Sequence, residues 1–262
     1  SDHPVLAKLW YFWGNHFTIS DTQTLGSYST GAYQREFLRA NMDKNFETMA
    51  TEATLAWPMI MHLDNKDNIG PKSESARQEW RRREKRPATL NENHARELME
   101  LHTISPDGGY TQEDVIELAK IMTGWRPKWT KRKDHGHDVS FDSERHEPGK
   151  KRVLGKEYKK GRKGIKLAIK DLVNHPSCRE FIATKLCRYL VTDNPTPEMI
   201  APVIKYLQSF VAINSLQEGW LTKSLIASFI PFLPFLYSLP KTLFFPGSCL
   251  SESKPTSCPW SF

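Results

Sequence analysis

The stretch Asn91–Trp125, NENHARELMELHTISPDGGYTQEDVIELAKIMTGW, decides the fold. Its apolar residues recur at three- and four-residue spacing, the period of an amphipathic helix rather than the alternation of a strand. Leu90, Ala95, Leu98, Leu101 and His102 fall on one face of a first helix. Asp107-Gly108-Gly109 reads as a tight turn, because adjacent glycines tolerate positive φ. Thr111, with Asp114 three residues on, starts a second helix as in a capping box. Val115, Leu118, Ala119 and Met122 face inward, and Gly124 before Trp125 suits a glycine stop with its apolar contact. A helix, tight turn, helix unit results.

The same period extends outward. Val5, Leu6, Leu9, Trp10, Phe12, Trp13 and Phe17 suit a buried first helix. Tyr33, Phe37 and Leu38 follow, then Phe46, Met49, Ala53 and Leu55, with Pro58 near a helix end or kink. Residues 65–75 read as a loop, and Arg77–Arg86 as a solvated basic helical excursion. Helices resume at Ile165–Val173, Pro176–Val191 and Thr196–Val211. Between them, a small hairpin is expected to pair a strand around Val139–Phe141 with one around Arg152–Leu154, across His146-Glu147-Pro148-Gly149. The fold class is therefore mainly α, a multi-helical domain over residues 1–213 with a small β-hairpin and basic loop insertion at about 126–163.

The net charge of +7 is local. Fifteen Lys or Arg face six Asp or Glu between Arg126 and Lys166, while the remainder holds 22 against 24. Composition, 39% hydrophobic and 26% charged, excludes a collagen-like, disulfide-scaffold or wholly disordered chain. Cys178 and Cys187 lie in one expected helix, about 13 Å apart, too far to pair. Residues 214–262 carry only five charges, with six prolines and nine serines. Ser224–Pro240 is uncharged, but Pro231 and Pro234 interrupt it, so a transmembrane anchor is not the preferred reading. A frameshifted or aberrant end is the expectation there.

Several motifs in order resemble one bacterial family, domain of unknown function 1800. They are Asn91–Thr103, Gly108–Val115 and Thr123-Gly124-Trp125, supported by Phe12–Thr18, Leu63-Asp64-Asn65, Val153-Leu154-Gly155 and His175-Pro176 leading to Phe181–Leu186. The resemblance covers about residues 3–213. It implies a helical, exported protein (periplasm or cell surface), encoded beside a sulfatase-like partner protein, and a chain that is truncated relative to its relatives. It carries no reaction. Departures are the basic insertion at Arg77–Arg86, His94 and His62 where relatives tend to have an aromatic residue, and His146-Glu147 where a His-Asp pair is usual.

At about 100° per residue, Glu92, Asn93, Arg96, Glu97 and Glu100 share one helix face. Either Arg96 simply pairs with Glu92 and Glu100 across one turn, or a partly buried acidic cluster binds a cation or orients a water as general acid/base. Catalytic candidates are thus Glu92, Arg96, Glu97 and Glu100. Binding candidates are Asn93, Asn15, His16, Asp114 and Trp125, with His16 either a satisfied core histidine or a pocket wall beside Asn15. No cofactor is expected, although a divalent metal has candidate donors in the acidic face, and His135, His137 and His146 could bind zinc only weakly. Lys150, Lys151, Arg152, Lys159, Lys160, Arg162 and Lys163 form a candidate polyanion surface; no nucleic-acid module motif accompanies them, so nucleic acid is not the expected partner. The favoured function is a non-catalytic binding or assembly component working with an envelope or surface partner. A hydrolase on the acidic face and a polyanion binder are the alternatives.

Overall fold

A computed structural model describes residues 4–20, 29–42, 44–81, 90–128 and 138–213. Ten α-helices and two small antiparallel two-stranded sheets make up these residues, a mainly α architecture. The chain opens with α1 (Pro4–His16), then α2, which starts at Thr30–Ala32 and continues as a π-helix over Tyr33–Arg39. Next come α3 (Phe46–Leu55) and α4 (Trp57–His62), separated at Ala56, whose extended backbone (ψ 139°) breaks the helix ahead of Pro58. A 3-10 turn at Asn65–Asp67 leads to α5 (Glu74–Arg81). The helical excursion thus covers residues up to 81; the remainder of the Arg77–Arg86 expectation lies outside the described residues, as do the residue 214–262 tail and Ser224–Pro240.

The deciding stretch folds as expected in outline. Helix α6 (Asn93–Glu97) passes into a π-helix at Leu98–His102, and α7 spans Gln112–Met122. Thr111 and Asp114 form the capping box, each side chain bonding the other's backbone N–H. Gly124 takes φ +87° just past the end of α7. The π-turn overturns one expectation. A wider turn advances each residue by less than 100°, so Met99 rotates into the core and Leu101, expected inward, is 50% exposed.

The hairpin expectation is also corrected. β1 (Trp125–Pro127) pairs with β2 (Val139–Phe141), Trp125 opposite Phe141, while β3 (Lys151–Val153) pairs with β4 (Lys156–Tyr158). The Val139–Phe141 and Arg152–Leu154 segments therefore belong to different hairpins. The reason is the Leu154-Gly155 turn, with φ of +48° and +77°. Positive φ at both central residues is what a two-residue hairpin needs to match strand twist. A leucine in that place gives no turn signal, and the more turn-like His146–Gly149 instead becomes a pinned connector.

Helices α8 (Gly164–Val173), α9 (Pro176–Leu190) and α10 (Pro197–Ile213) complete the fold. Cys178 and Cys187 are buried free thiols. One hydrophobic cluster joins Phe12 and Trp13 of α1, and Phe17 just after it, to Met49 and Ala53 of α3, Leu118 and Met122 of α7, Ile169 of α8 and Leu186 of α9. Each such side chain contributes about 1.5–3 kcal/mol by burial, so α7 is held on most sides.

Gly124, which packs against Asp142 and His146, and Gly149, which ends the His146–Gly149 connector, should differ in tolerance. A Cβ at Gly124 would sit 2.5 Å from the Asp142 carbonyl oxygen, while one at Gly149 (φ +81°) would meet nothing within 4 Å. Gly149→Ala is expected to cost about 1–2 kcal/mol from backbone conformation alone. Gly124→Ala adds a backbone collision and is expected to cost more than about 3 kcal/mol. Urea unfolding of both variants checks the order; equal losses would refute it.

Candidate functional site

On the acidic face, α6 and α7 are tied by side chains alone. Arg96 Nη2 donates to Glu92 Oε2 (3.1 Å) and Gln112 Oε1 (2.7 Å), Arg96 Nη1 to Glu100 Oε1 (3.4 Å), and Gln112 Nε2 to Glu92 Oε2 (2.6 Å). Arg96, Glu92 and Glu100 are about one-third exposed. The network binds the start of one helix to the start of the next, and it needs no ligand to close. Burial, then the Glu100 carboxylate beside it, pushes the Tyr110 phenol up to about 12. Glu97 stands apart, with no hydrogen bond or ion pair to a described residue. Desolvation, then the Glu100 charge, raises its carboxyl above the usual range. Asn93 is exposed, its amide N–H accepted by Asn91 Oδ1 (2.9 Å). Among the described residues, no group of three or more His, Cys, Asp or Glu could hold a metal ion.

Behind this face lies a histidine cluster that periodicity does not disclose. His16, His94 and His102 are all buried. His16 Nε2 donates to the His102 carbonyl (3.0 Å), so its Nδ1 is left to accept from Lys185 Nζ (2.9 Å). That pairing fixes a neutral imidazole beside an ammonium. His94 has no partner at either ring nitrogen and His102 none at Nδ1. Burial, then His102 and His62, drops His94 to about 3; burial, then Lys185 and His62, drops His102 to about 3; and burial with Lys185 and His102 lowers His16 well below its ordinary value. His62, half-buried, accepts from the Ser20 amide at Nδ1 (3.3 Å). His16 is thus buried with both ring nitrogens hydrogen-bonded, and Asn15 is exposed.

The hairpin side holds a second network. His146 Nδ1 donates to the Thr123 carbonyl (2.9 Å), and its Nε2 accepts from Gly161 N (3.0 Å) and Lys151 Nζ (3.2 Å). Lys151 also donates to the carbonyls of Glu147 and Gly149. Of the seven basic candidates, Lys151 alone is buried, at 2% exposure, and burial pulls its ammonium down to about 8. It is therefore a structural pin for the connector, not a surface contact. Lys150, Arg152, Lys159, Lys160, Arg162 and Lys163 are exposed. Lys150 pairs with Glu157 (2.7 Å), and Arg162 stacks over Trp125, whose buried ring rules it out as a surface binder. Asp114 is spent on the cap and on the Leu154 amide (2.6 Å); these amide and hydroxyl donors outweigh its desolvation and hold its carboxyl low. His135 and His137 lie outside the described residues, and His146 is saturated.

A further set of residues escaped the sequence reading. Asn65 Nδ2 donates to the Met122 (3.2 Å) and Trp125 (2.8 Å) carbonyls, Asn68 Nδ2 to Ala119 O (3.0 Å) and Asn65 Oδ1 (3.1 Å), and Asn91 N donates to Asn68 Oδ1 (3.0 Å). The signal was present in Leu63-Asp64-Asn65 and Asn91, but it pointed to a motif without showing what the amides bind.

Two outcomes follow from this geometry. Arg96→Gln should lower stability by about 1 kcal/mol, since it opens three contacts of partly exposed groups. Glu97→Gln should change it by less than about 0.5 kcal/mol, in the stabilising direction; a larger loss in urea unfolding would place Glu97 in a structural bond. The second outcome concerns pH. Imidazoles lowered by folding bind fewer protons folded than unfolded, so stability falls as pH drops below about 6.5, by up to about 1.4 kcal/mol per pH unit for each histidine. His94→Phe removes two orphaned nitrogens and one such proton. Its stability should therefore fall less steeply than wild type between pH 7 and pH 5, and parallel curves would contradict the assignment.

The sequence model of one family, "Protein of unknown function (DUF1800)", matches residues 1–222. Neither a curated protein nor a solved structure matches the chain. The match spans both networks and the asparagine set, from α1 through α10. With the helix, turn, helix unit and its Asn91 and Gly124 boundaries in place, the chain belongs to the DUF1800 family.

Proposed function

We propose that this chain is a non-catalytic binding or assembly component of an exported system, whose contact face is the basic hairpin side and whose partner presents an anionic surface. The observation that carries the reading is the distribution of charge. Arg96 and Gln112 engage Glu92 and Glu100, which leaves Glu97 as the unbonded carboxyl of the acidic face, whereas Arg152, Lys159, Lys160, Arg162 and Lys163 project from a short stretch around β3 and β4. Such a stretch raises the local concentration of an anionic partner and speeds encounter. Rigidity favours binding too, because Lys151, Glu147 and His146 hold the connector below these side chains and little ordering remains for a partner to supply. A sulfatase-like protein is the partner class that the family resemblance suggests.

Heparin chromatography of the purified chain tests this, with heparin as the anionic probe. Wild type should be retained and should elute with salt. Combined Lys159→Glu, Arg162→Glu and Lys163→Glu should elute at clearly lower salt with an unchanged circular dichroism spectrum, since each lost contact removes roughly one released counterion. Passage of wild type through the column at about 50 mM salt would overturn the proposal.

A further inference from the structure

A cleft of about 370 Å³ opens where α5, the β2–β3 connector and the Lys160-Gly161 segment meet, within the roughly 300–1,000 Å³ range of small-molecule sites. Its charged lining is Lys72, Glu74, Arg77 and Lys160. The three cations have no carboxylate partner among the described residues, while Glu74 Oε1 accepts from Gln78 Nε2 (3.4 Å). The lining therefore carries a surplus of two positive charges. His146 adds none, because burial keeps its ring neutral and its Nε2 already accepts two donors. Behind the wall, Glu147 and Lys151 offset each other. Glu147 Oε2 accepts the Lys72 amide (2.8 Å), which fixes the backbone from which the Lys72 side chain extends. Phe141 and Pro148 supply an apolar wall beside the cationic rim.

We propose that this cleft binds the phosphate group of an organic phosphomonoester, with Arg77, Lys160 and Lys72 on the phosphate and the organic part against Phe141. A phosphomonoester carries about two negative charges at neutral pH, matching the surplus, and a guanidinium beside ammonium groups suits its oxygens. A sulfate ester, with one charge, leaves the cleft under-neutralised. The apolar wall gives an esterified group a contact that the free anion lacks.

The inference deepens the binding role proposed above by naming a ligand chemistry for one part of the basic face. Isothermal titration of the whole chain with phenyl phosphate, phenyl sulfate and inorganic phosphate tests it. Phenyl phosphate should bind, phenyl sulfate about tenfold or more weakly, and inorganic phosphate more weakly than the ester. Arg77→Gln and Lys160→Gln, both at exposed positions, should each cost about tenfold in phenyl phosphate affinity, while Lys159→Gln, outside the lining, should not. Equal affinity for phenyl phosphate and phenyl sulfate, no binding of either, or full affinity in Arg77→Gln would overturn it. A chain that heparin retains but phenyl phosphate ignores loses only this cleft. One that binds phenyl phosphate but passes through heparin keeps the cleft and loses the broader reading.

Discussion

The end of α7 is the constraint on which the rest depends. A helix leaves its last carbonyls without intrahelical partners, and inside a core each unpaired one costs about 1–3 kcal/mol. Here Asn65 takes Met122 O and then Trp125 O in the first strand, while Asn68 adds a second donor to Ala119 O, which already accepts the Thr123 amide. Asn65 and Asn68 are both about 1% exposed, so no solvent substitutes for them. Because their segment is 50 to 60 residues away in sequence, satisfying α7 also fixes the 65–68 turn. Asn91 then docks the start of the α6 segment on Asn68. One set of amides therefore positions three of the pieces that surround the candidate sites.

The opposite end of α7 works by the same logic with a carboxylate. Asp114 completes the cap, and its second oxygen accepts the Leu154 amide, while Glu117 one turn later accepts the Arg152 amide (3.0 Å). The β3–β4 hairpin is thus hung from α7 through its backbone, Lys156 and Tyr158 tie it to Asp171 of α8, and the exposed Lys159, Lys160 and Lys163 follow it. That division explains how so basic a segment can be ordered: its stability comes from amide groups and from the buried Lys151, not from mutual contacts among cations that would repel.

Much of this was legible in the residues. The α7 cap, the Gly124 stop, the helical period of α1, α3, α8 and α9, and the inability of Cys178 and Cys187 to pair all follow from local spacing, and local spacing is what sets them. What failed was non-local or depended on a changed period. Leu101 was misplaced because a 100° wheel does not describe a π-turn, and the hairpins were mispaired because Leu154 gives no sign that it will take positive φ. The Glu92–Arg96–Glu100 ladder could be read from four-residue spacing, yet its closure by Gln112 could not, since that contact spans the turn. The histidines converge from α1, α4 and α6, and sequence distance hides such convergence entirely.

The same separation bears on function. Family motifs mark Asn91, Asp114, Thr123, Gly124 and Lys185, and in the fold each is engaged in holding an element: an amide clasp, a cap, the His146 bond, a left-handed stop, the His16 pair. Glu97, from the same stretch as Asn91, makes no such bond to a described residue, while the other five hold the elements that surround it. The residues left over, Lys72, Arg77, Lys159, Lys160 and Lys163, are exposed, lie outside those motifs, and cluster on one side through the connector pinned by Glu147 and Lys151. The binding proposed above would draw on these exposed cations, with the engaged residues holding the platform beneath them.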